Sequence, residues 1–245
     1  MTFLAFGKVL EHAWVAYSKN LKLISAFSIP FLIAFPLSFL LPNFVAMSAA
    51  FLRIGSVKLD LGVLDVLIIV LAFIASLVFF SFAVAAINVV IRSQRTLNRL
   101  TSRDMEAIER ATVNLFFILL TAFAAIVGFS LLLFENGIDV FWSGVFSLVV
   151  SSMVLFAPQA VVIEDASLSG AVAKSVLLIR RKPGFFLLFV VFAAVLFLIN
   201  TWVFLELSKG LWFARFVSLI VQSLLILPFL EVLKTQIYLS KYALL

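Results

Sequence analysis

The chain has 245 residues, 65% of them hydrophobic and only 12% charged, with a mean hydropathy of +1.26 and a net charge of +6. A soluble domain normally carries about 25% charged residues, so the polar surface that keeps a globule dissolved is largely missing and the fitting solvent is lipid. Cysteine is absent, which excludes disulfides and thiolate metal sites.

In chain order, the first twenty residues read as an amphipathic helix. Phe3, Phe6, Leu10, Ala13, Trp14 and Tyr17 recur at helical spacing, while Lys8, Glu11, His12 and Lys19 fall mostly on the other side. No secretory signal is evident, because no small-residue cleavage site follows a short apolar run. A spanning helix needs about 20 mostly apolar residues. Six runs qualify: 21–41, 63–91, 113–134, 140–163, 185–205 and 211–233. They are continuous rather than alternating and too long for the strands of a membrane barrel. Between the first two, residues 42–62 read either as an interfacial segment or as a lengthened first helix kinked at Pro30 and Pro36. The third and fourth runs are split by Glu135-Asn136-Gly137-Ile138-Asp139, and the last two by Glu206-Leu207-Ser208-Lys209-Gly210. Both clusters form turns, so each flanking pair is an antiparallel hairpin.

Two further segments read as amphipathic helices, and all three are expected to lie at the cytoplasmic interface of the membrane. Met105, Ile108, Thr112 and Leu115 form a stripe that starts at Thr101-x-x-Asp104, a capping-box pattern. Leu168, Ala171, Val172, Ser175, Val176 and Ile179 form another, with Asp165 or Ser167 placed to cap it. The first and third amphipathic segments overlay without a gap, Gly7 on Gly170 and Asn20 on Pro183. The expectation is one all-α membrane domain over 1–245, a polytopic bundle of about six spanning helices. Helix, span, turn and span recur in units 1–91, 98–163 and 164–245, related by an axis along the membrane normal.

Orientation follows from lysine and arginine. One side holds Lys8, Lys19, Lys22, Arg92, Arg95, Arg99, Arg103, Arg110, Lys174, Arg180, Arg181, Lys182, Lys234 and Lys241, and the other only Arg53, Lys58, Lys209 and Arg215. The richer side is assigned to the cytoplasm of a plasma-membrane protein, with both termini there. Trp14, Trp142, Trp202 and Trp212 fall near predicted helix ends, where amphipathic rings prefer the headgroup zone.

The stretch Ala157-Pro158-Gln159-Ala160-Val161-Val162-Ile163-Glu164-Asp165, then Ser169-Gly170-Ala171-Val172-Ala173-Lys174-Ser175 and Ile179-Arg180-Arg181-Lys182-Pro183-Gly184, carries a resemblance. It is similar to the membrane domain associated with glycerophosphoryl diester phosphodiesterases and to related prokaryotic multi-pass proteins of unknown function. Those proteins show a proline near the end of a span, acidic residues, then an Ala-x-x-x-Ser amphipathic helix ending in basic residues. The Lys19-Asn20 pair before the first span fits the same pattern. The resemblance implies a membrane domain with no known active site, and no catalytic residue is carried over.

Polar groups inside spans are the default functional candidates, because hydrocarbon penalises them. Asn88, Gln159, Asn200, Gln222 and Glu231 are the candidates for an intramembrane polar lining. Their alternative role is to hydrogen-bond across helices and hold the bundle. Glu231 and Lys234 also read as an interfacial i,i+3 pair. Asp65 reads as a charge matched to the N-terminal dipole of the second span. His12 is the only histidine and lacks the partners a metal site needs. No cofactor is expected. The basic clusters are the stronger functional surface: Arg92, Arg95, Arg99 and Arg103 share a helical face, and Lys174, Arg180, Arg181 and Lys182 form a second group. Anionic headgroups attract such charges by about 1 kcal/mol each. The expected partners are therefore the lipid bilayer and its anionic headgroups, with a protein partner or a second copy of the chain as further options and no nucleic acid. The sequence favours a non-enzymatic module organising lipid or a partner protein at the cytoplasmic face. A small-solute or ion conduit is the alternative, and an intramembrane enzyme a distant third.

Overall fold

The computed structural model describes residues 2–40, 63–92 and 101–241. Residues 42–62, Arg95 and Arg99 lie outside the described residues. The described chain is α-helical with no strand: α1 (Thr2–Lys19), α2 (Leu21–Leu40), α3 (Val63–Arg92), α4 (Ser102–Glu135), α5 (Val140–Val154), α6 (Ala157–Glu164), α7 (Leu168–Arg181), α8 (Pro183–Leu207), α9 (Ala214–Val221) and α10 (Leu227–Leu239). A π-helical turn, Gln222–Ile226, joins the last two. Five helical stretches are long and apolar enough to cross a membrane: Val70–Arg92, Ser102–Glu135, Phe141–Glu164, Pro183–Leu207 and Ala214–Leu239. The 20 residues of α2 span about 30 Å at 1.5 Å per residue, the thickness of a hydrocarbon core. This is the helical bundle of an integral membrane protein.

Local chemistry sets the ends. Thr101 and Asp104 close a reciprocal capping box, the Asp104 N–H donating to Thr101 Oγ1 at 3.3 Å and the Thr101 N–H to Asp104 Oδ2 at 3.0 Å. Gly137 takes φ +63° in the turn after α4, and the Asp139 carboxylate accepts the Phe141 N–H at 2.9 Å to start α5. The hydroxyls of Ser130 and Ser143, 2.5 Å apart, pin that hairpin. Pro158 and Pro228 each sit in the first turn of a new helix, so the predicted fourth and sixth spans are each built in two pieces. A proline offers no N–H to the preceding turn, and the helix restarts around it.

One difference from the predicted plan lies in the second unit. The amphipathic segment from Thr101 is not a separate interfacial helix but the first third of α4, 34 residues and about 50 Å long. By contrast, α1 is parted from α2 by Asn20 alone and α7 from α8 by Lys182 alone. The two breaks fall one residue away from the gapless overlay, which pairs Asn20 with Pro183.

The stripes also shift. Phe6, Val9, Ala13 and Tyr17 are the buried side chains of α1, whereas Trp14 is 61% exposed. In the first half of α4 the buried set is Ile108, Ala111, Leu115 and Ile118, with Met105 exposed; on α7 it is Ala171, Ser175 and Leu178, with Leu168 exposed. The reason is that these helices pack on protein rather than lie on lipid. Within the described residues α4 rests on α3, α7 on α5 and α6, and α1 on α10. Each leading helix thus covers the closing helix of another hairpin, and the three contacts form a ring. The core lies at one end of this ring, around Val84–Ile91, Ala157–Val162 and Leu230–Tyr238. At the other end Leu148, Leu198, Trp202 and Trp212 are exposed, as lipid-facing side chains should be.

Candidate functional site

The densely packed end carries three features: a buried polar knot, a cleft around one carboxylate and a cavity rimmed by arginines. The knot forms where the three closing helices meet. Gln159 Nε2 donates to Asn88 Oδ1 at 3.1 Å and approaches Glu231 Oε2 at 3.4 Å. Thr235 Oγ1 lies 2.6 Å from the same Asn88 oxygen, and Asn88 Nδ2 donates to the Val84 carbonyl at 2.8 Å. Lys234 closes the group through Glu231 Oε1 at 2.5 Å. All five side chains are buried, and Gln159 Oε1 has no hydrogen-bond partner among the described residues. Three predicted polar candidates, Asn88, Gln159 and Glu231, therefore meet although 71 and 72 residues separate Gln159 from the other two. The remaining two do not join them. Asn200 Nδ2 donates to Ser218 Oγ at 2.9 Å within the last hairpin, and Gln222 begins the π-helical turn. The Glu231–Lys234 pair exists, but in the core rather than in the interface.

Glu164, at the end of α6, organises the cleft. Its Oε2 holds Lys174 at 2.8 Å, and its Oε1 accepts the Tyr238 hydroxyl at 2.6 Å and a short contact from Lys241. Lys182 turns to the Ser240 carbonyl at 2.9 Å and the Ser240 hydroxyl at 3.1 Å, and burial pushes its ammonium below the ordinary lysine range. Glu164, Lys174, Lys182 and Lys241, with Leu177, Leu178 and Arg181, surround a cavity of ≈ 420 Å³. Ser175 works behind it, accepting the Phe156 N–H at 3.0 Å at the break between α5 and α6. Of the predicted headgroup contacts, Arg180 and Arg181 are exposed, whereas Lys174 and Lys182 are held by protein groups.

The arginine cavity lies between α3, α4 and α6, with a volume of ≈ 330 Å³. Arg92, Arg103, Arg110 and Asn114 line it together with Glu106 and Asp165. Arg92 Nη1 donates to the Val162 carbonyl at 2.9 Å, which fixes the end of α3 against α6. None of the four ion pairs among the described residues involves these arginines. Sequence reasoning singled out Arg92 and Arg103 but not Arg110, whose place on the same α4 face as Arg103, seven residues on, was the available signal. It also passed over Thr235, Glu164, Tyr238 and Lys241, which become partners only through the tertiary fold. The third seam, between α1, α8 and α10, is apolar: Leu10, Trp14, Tyr17, Phe192, Leu196 and Phe229 border a groove of ≈ 670 Å³.

No family model, no curated protein and no solved structure matches the chain. The resemblance to the phosphodiesterase-associated membrane domain thus rests on the quoted residues alone, and no property of that family is transferred here.

Proposed function

We propose that this chain is a non-enzymatic plasma-membrane module that recognises anionic lipid headgroups at the cytoplasmic face, with both termini on that side. The observation that carries the reading is the arginine cavity. Three guanidiniums border one space at a helix-bundle end, none of them in a direct ion pair among the described residues, with the carboxylates of Glu106 and Asp165 in the same lining. Guanidinium presents a planar fork of donors that matches phosphate oxygens, and it is always charged. Against the two carboxylates the three guanidiniums leave an excess of one positive charge, which an anion in the cavity would balance. A headgroup at the membrane surface is the anion in reach. The three-unit plan fits this reading, since the arginine cavity lies where residues of the first and second units meet.

The test uses the purified protein in neutral detergent, titrated with phosphatidylglycerol or phosphatidylcholine while thermal unfolding is followed. The wild type is expected to be stabilised by phosphatidylglycerol selectively. The Arg92→Gln/Arg103→Gln/Arg110→Gln variant should lose roughly two orders of magnitude of that preference at low salt, at about 1 kcal/mol per charge. An undiminished preference in the variant would overturn the reading.

One observation favours a solute conduit instead: the polar knot keeps an unpartnered amide oxygen in the interior. Asn200 and Gln222 stand apart from it, so a continuous polar route has little to build on. Loss of a solute flux in Gln159→Leu, with folding intact, would put the conduit in place of the module.

A further inference from the structure

We propose that the Glu164 cleft is a second anion site, separate from the arginine cavity and suited to a phosphate monoester. In it the ligand takes the place that the Glu164 carboxylate now holds between Lys174 and Lys241. The cleft walls contribute Lys174, Arg181, Lys182 and Lys241 against the single carboxylate of Glu164, an excess of three positive charges. Glu164 contacts two of the four cations directly. Lys182 meets the neutral oxygens of Ser240 and the Phe185 ring rather than a carboxylate, and Arg181 stands exposed at the rim. A carboxylate drawn between two ammonium groups and a phenol marks where an anion is stabilised. The ≈ 420 Å³ beside it is more than a phosphate needs and leaves room for the glycerol it is esterified to.

The charge excess selects among phosphates. A monoester carries about −1.5 to −2 at pH 7, because its second proton is lost near pH 6, whereas a diester carries one charge. Lysine ammonium groups act on it as point charges, so the second charge is felt in full. Leu177 and Leu178 supply an apolar wall for the glycerol or first acyl carbons. The monoester could reach the cleft as a lipid headgroup or as a soluble ester, and both have the same recognition chemistry.

The experiment measures binding of short-chain phosphatidic acid and short-chain phosphatidylglycerol to the detergent-solubilised full chain. Glycerol 3-phosphate serves as a competitor. The wild type should prefer phosphatidic acid by about fivefold or more, the equivalent of one added charge near the surface. Arg181→Gln, at an exposed position, should fold normally and bring the ratio towards one. Glu164→Gln should tighten phosphatidic acid by about fivefold, more than Glu109→Gln, which removes the same charge from an exposed position on α4 outside the cleft. Displacement by glycerol 3-phosphate assigns the site to soluble esters, and failure to displace assigns it to the lipid; either supports monoester recognition. A wild-type ratio near one, or a ratio unmoved by Arg181→Gln, overturns the proposal. The triple arginine variant is the independent control. It tests the phosphatidylglycerol reading and should leave the monoester preference in place.

Discussion

Asn88 Oδ1 receives both Gln159 Nε2 and the Thr235 hydroxyl, so one carbonyl oxygen ties three closing helices together. Replacing Asn88 by Leu leaves buried donors bare, at about 1–3 kcal/mol. Asn200 has a single side-chain link, to Ser218, and its loss should cost about 0.6 kcal/mol, the usual value for an interhelical bond in a membrane protein. Thermal unfolding in detergent should therefore show Asn88→Leu markedly less stable than Asn200→Leu; equal midpoints would mean the knot does not hold the helices. Lys234 and Glu231 make a sharper case, because both are buried. Lys234→Met strands a buried carboxylate, at about 3–5 kcal/mol, and Glu231→Gln added to it should recover most of the loss. A double variant as unstable as the single would contradict this. The polar residues themselves were legible in the sequence, since an amide inside an apolar run stands out. Their meeting was not, because Asn88 and Thr235 lie 147 residues apart and only the fold brings them together.

At the scale of the element, what is encoded within a few residues was readable. The Thr101–Asp104 capping box and the Glu135–Asp139 turn have their partners within three or four positions, and both form as expected. The stripe edges were misjudged for a physical reason. Trp14 and Met105 look like core by hydrophobicity, yet a helix packed on a neighbouring helix buries a narrow strip and leaves its flanks to lipid. The continuity of α4 was also hidden, because a basic amphipathic segment and a span share the same helical period. Asp165, read as a possible cap for α7, plays another part, and Ser167 takes the N-cap position without a side-chain hydrogen bond. Asp165 ends α6 in the left-handed region at φ 46°, and the Ala166 N–H closes back on the Ala160 carbonyl at 3.3 Å. Glycine is the residue that conformation prefers. Asp165→Gly should raise stability by about 1 kcal/mol or less, the relief of left-handed strain offset by glycine's entropy. Because Asp165 also lines the arginine cavity, the same change should strengthen anionic-lipid binding. A variant that is less stable and binds no better would count against both roles.

In the whole molecule, the basic ends of α3, α4, α7 and α10 gather at the densely packed end, while Glu135, Asp139, Glu206 and Lys209 mark the turns at the other. That asymmetry underlies the cytoplasmic assignment of the packed end. The chain has no native cysteine, so single cysteines can be read without background. Cysteines at Lys8, Arg110, Lys182 and Lys241 should resist an impermeant thiol reagent in intact cells, and those at Asn136 and Ser208 should react; labelling of Arg110→Cys without permeabilisation would invert the topology. The central claim, headgroup recognition through the arginine cavity, is tested most directly by spin-labelled lipids in reconstituted bilayers. The motionally restricted fraction is compared for phosphatidylglycerol and phosphatidylcholine, in the wild type and in Arg92→Gln/Arg103→Gln/Arg110→Gln. The account predicts a phosphatidylglycerol selectivity in the wild type that weakens with salt and is nearly abolished in the variant. Equal selectivity in the two proteins at low salt would contradict it.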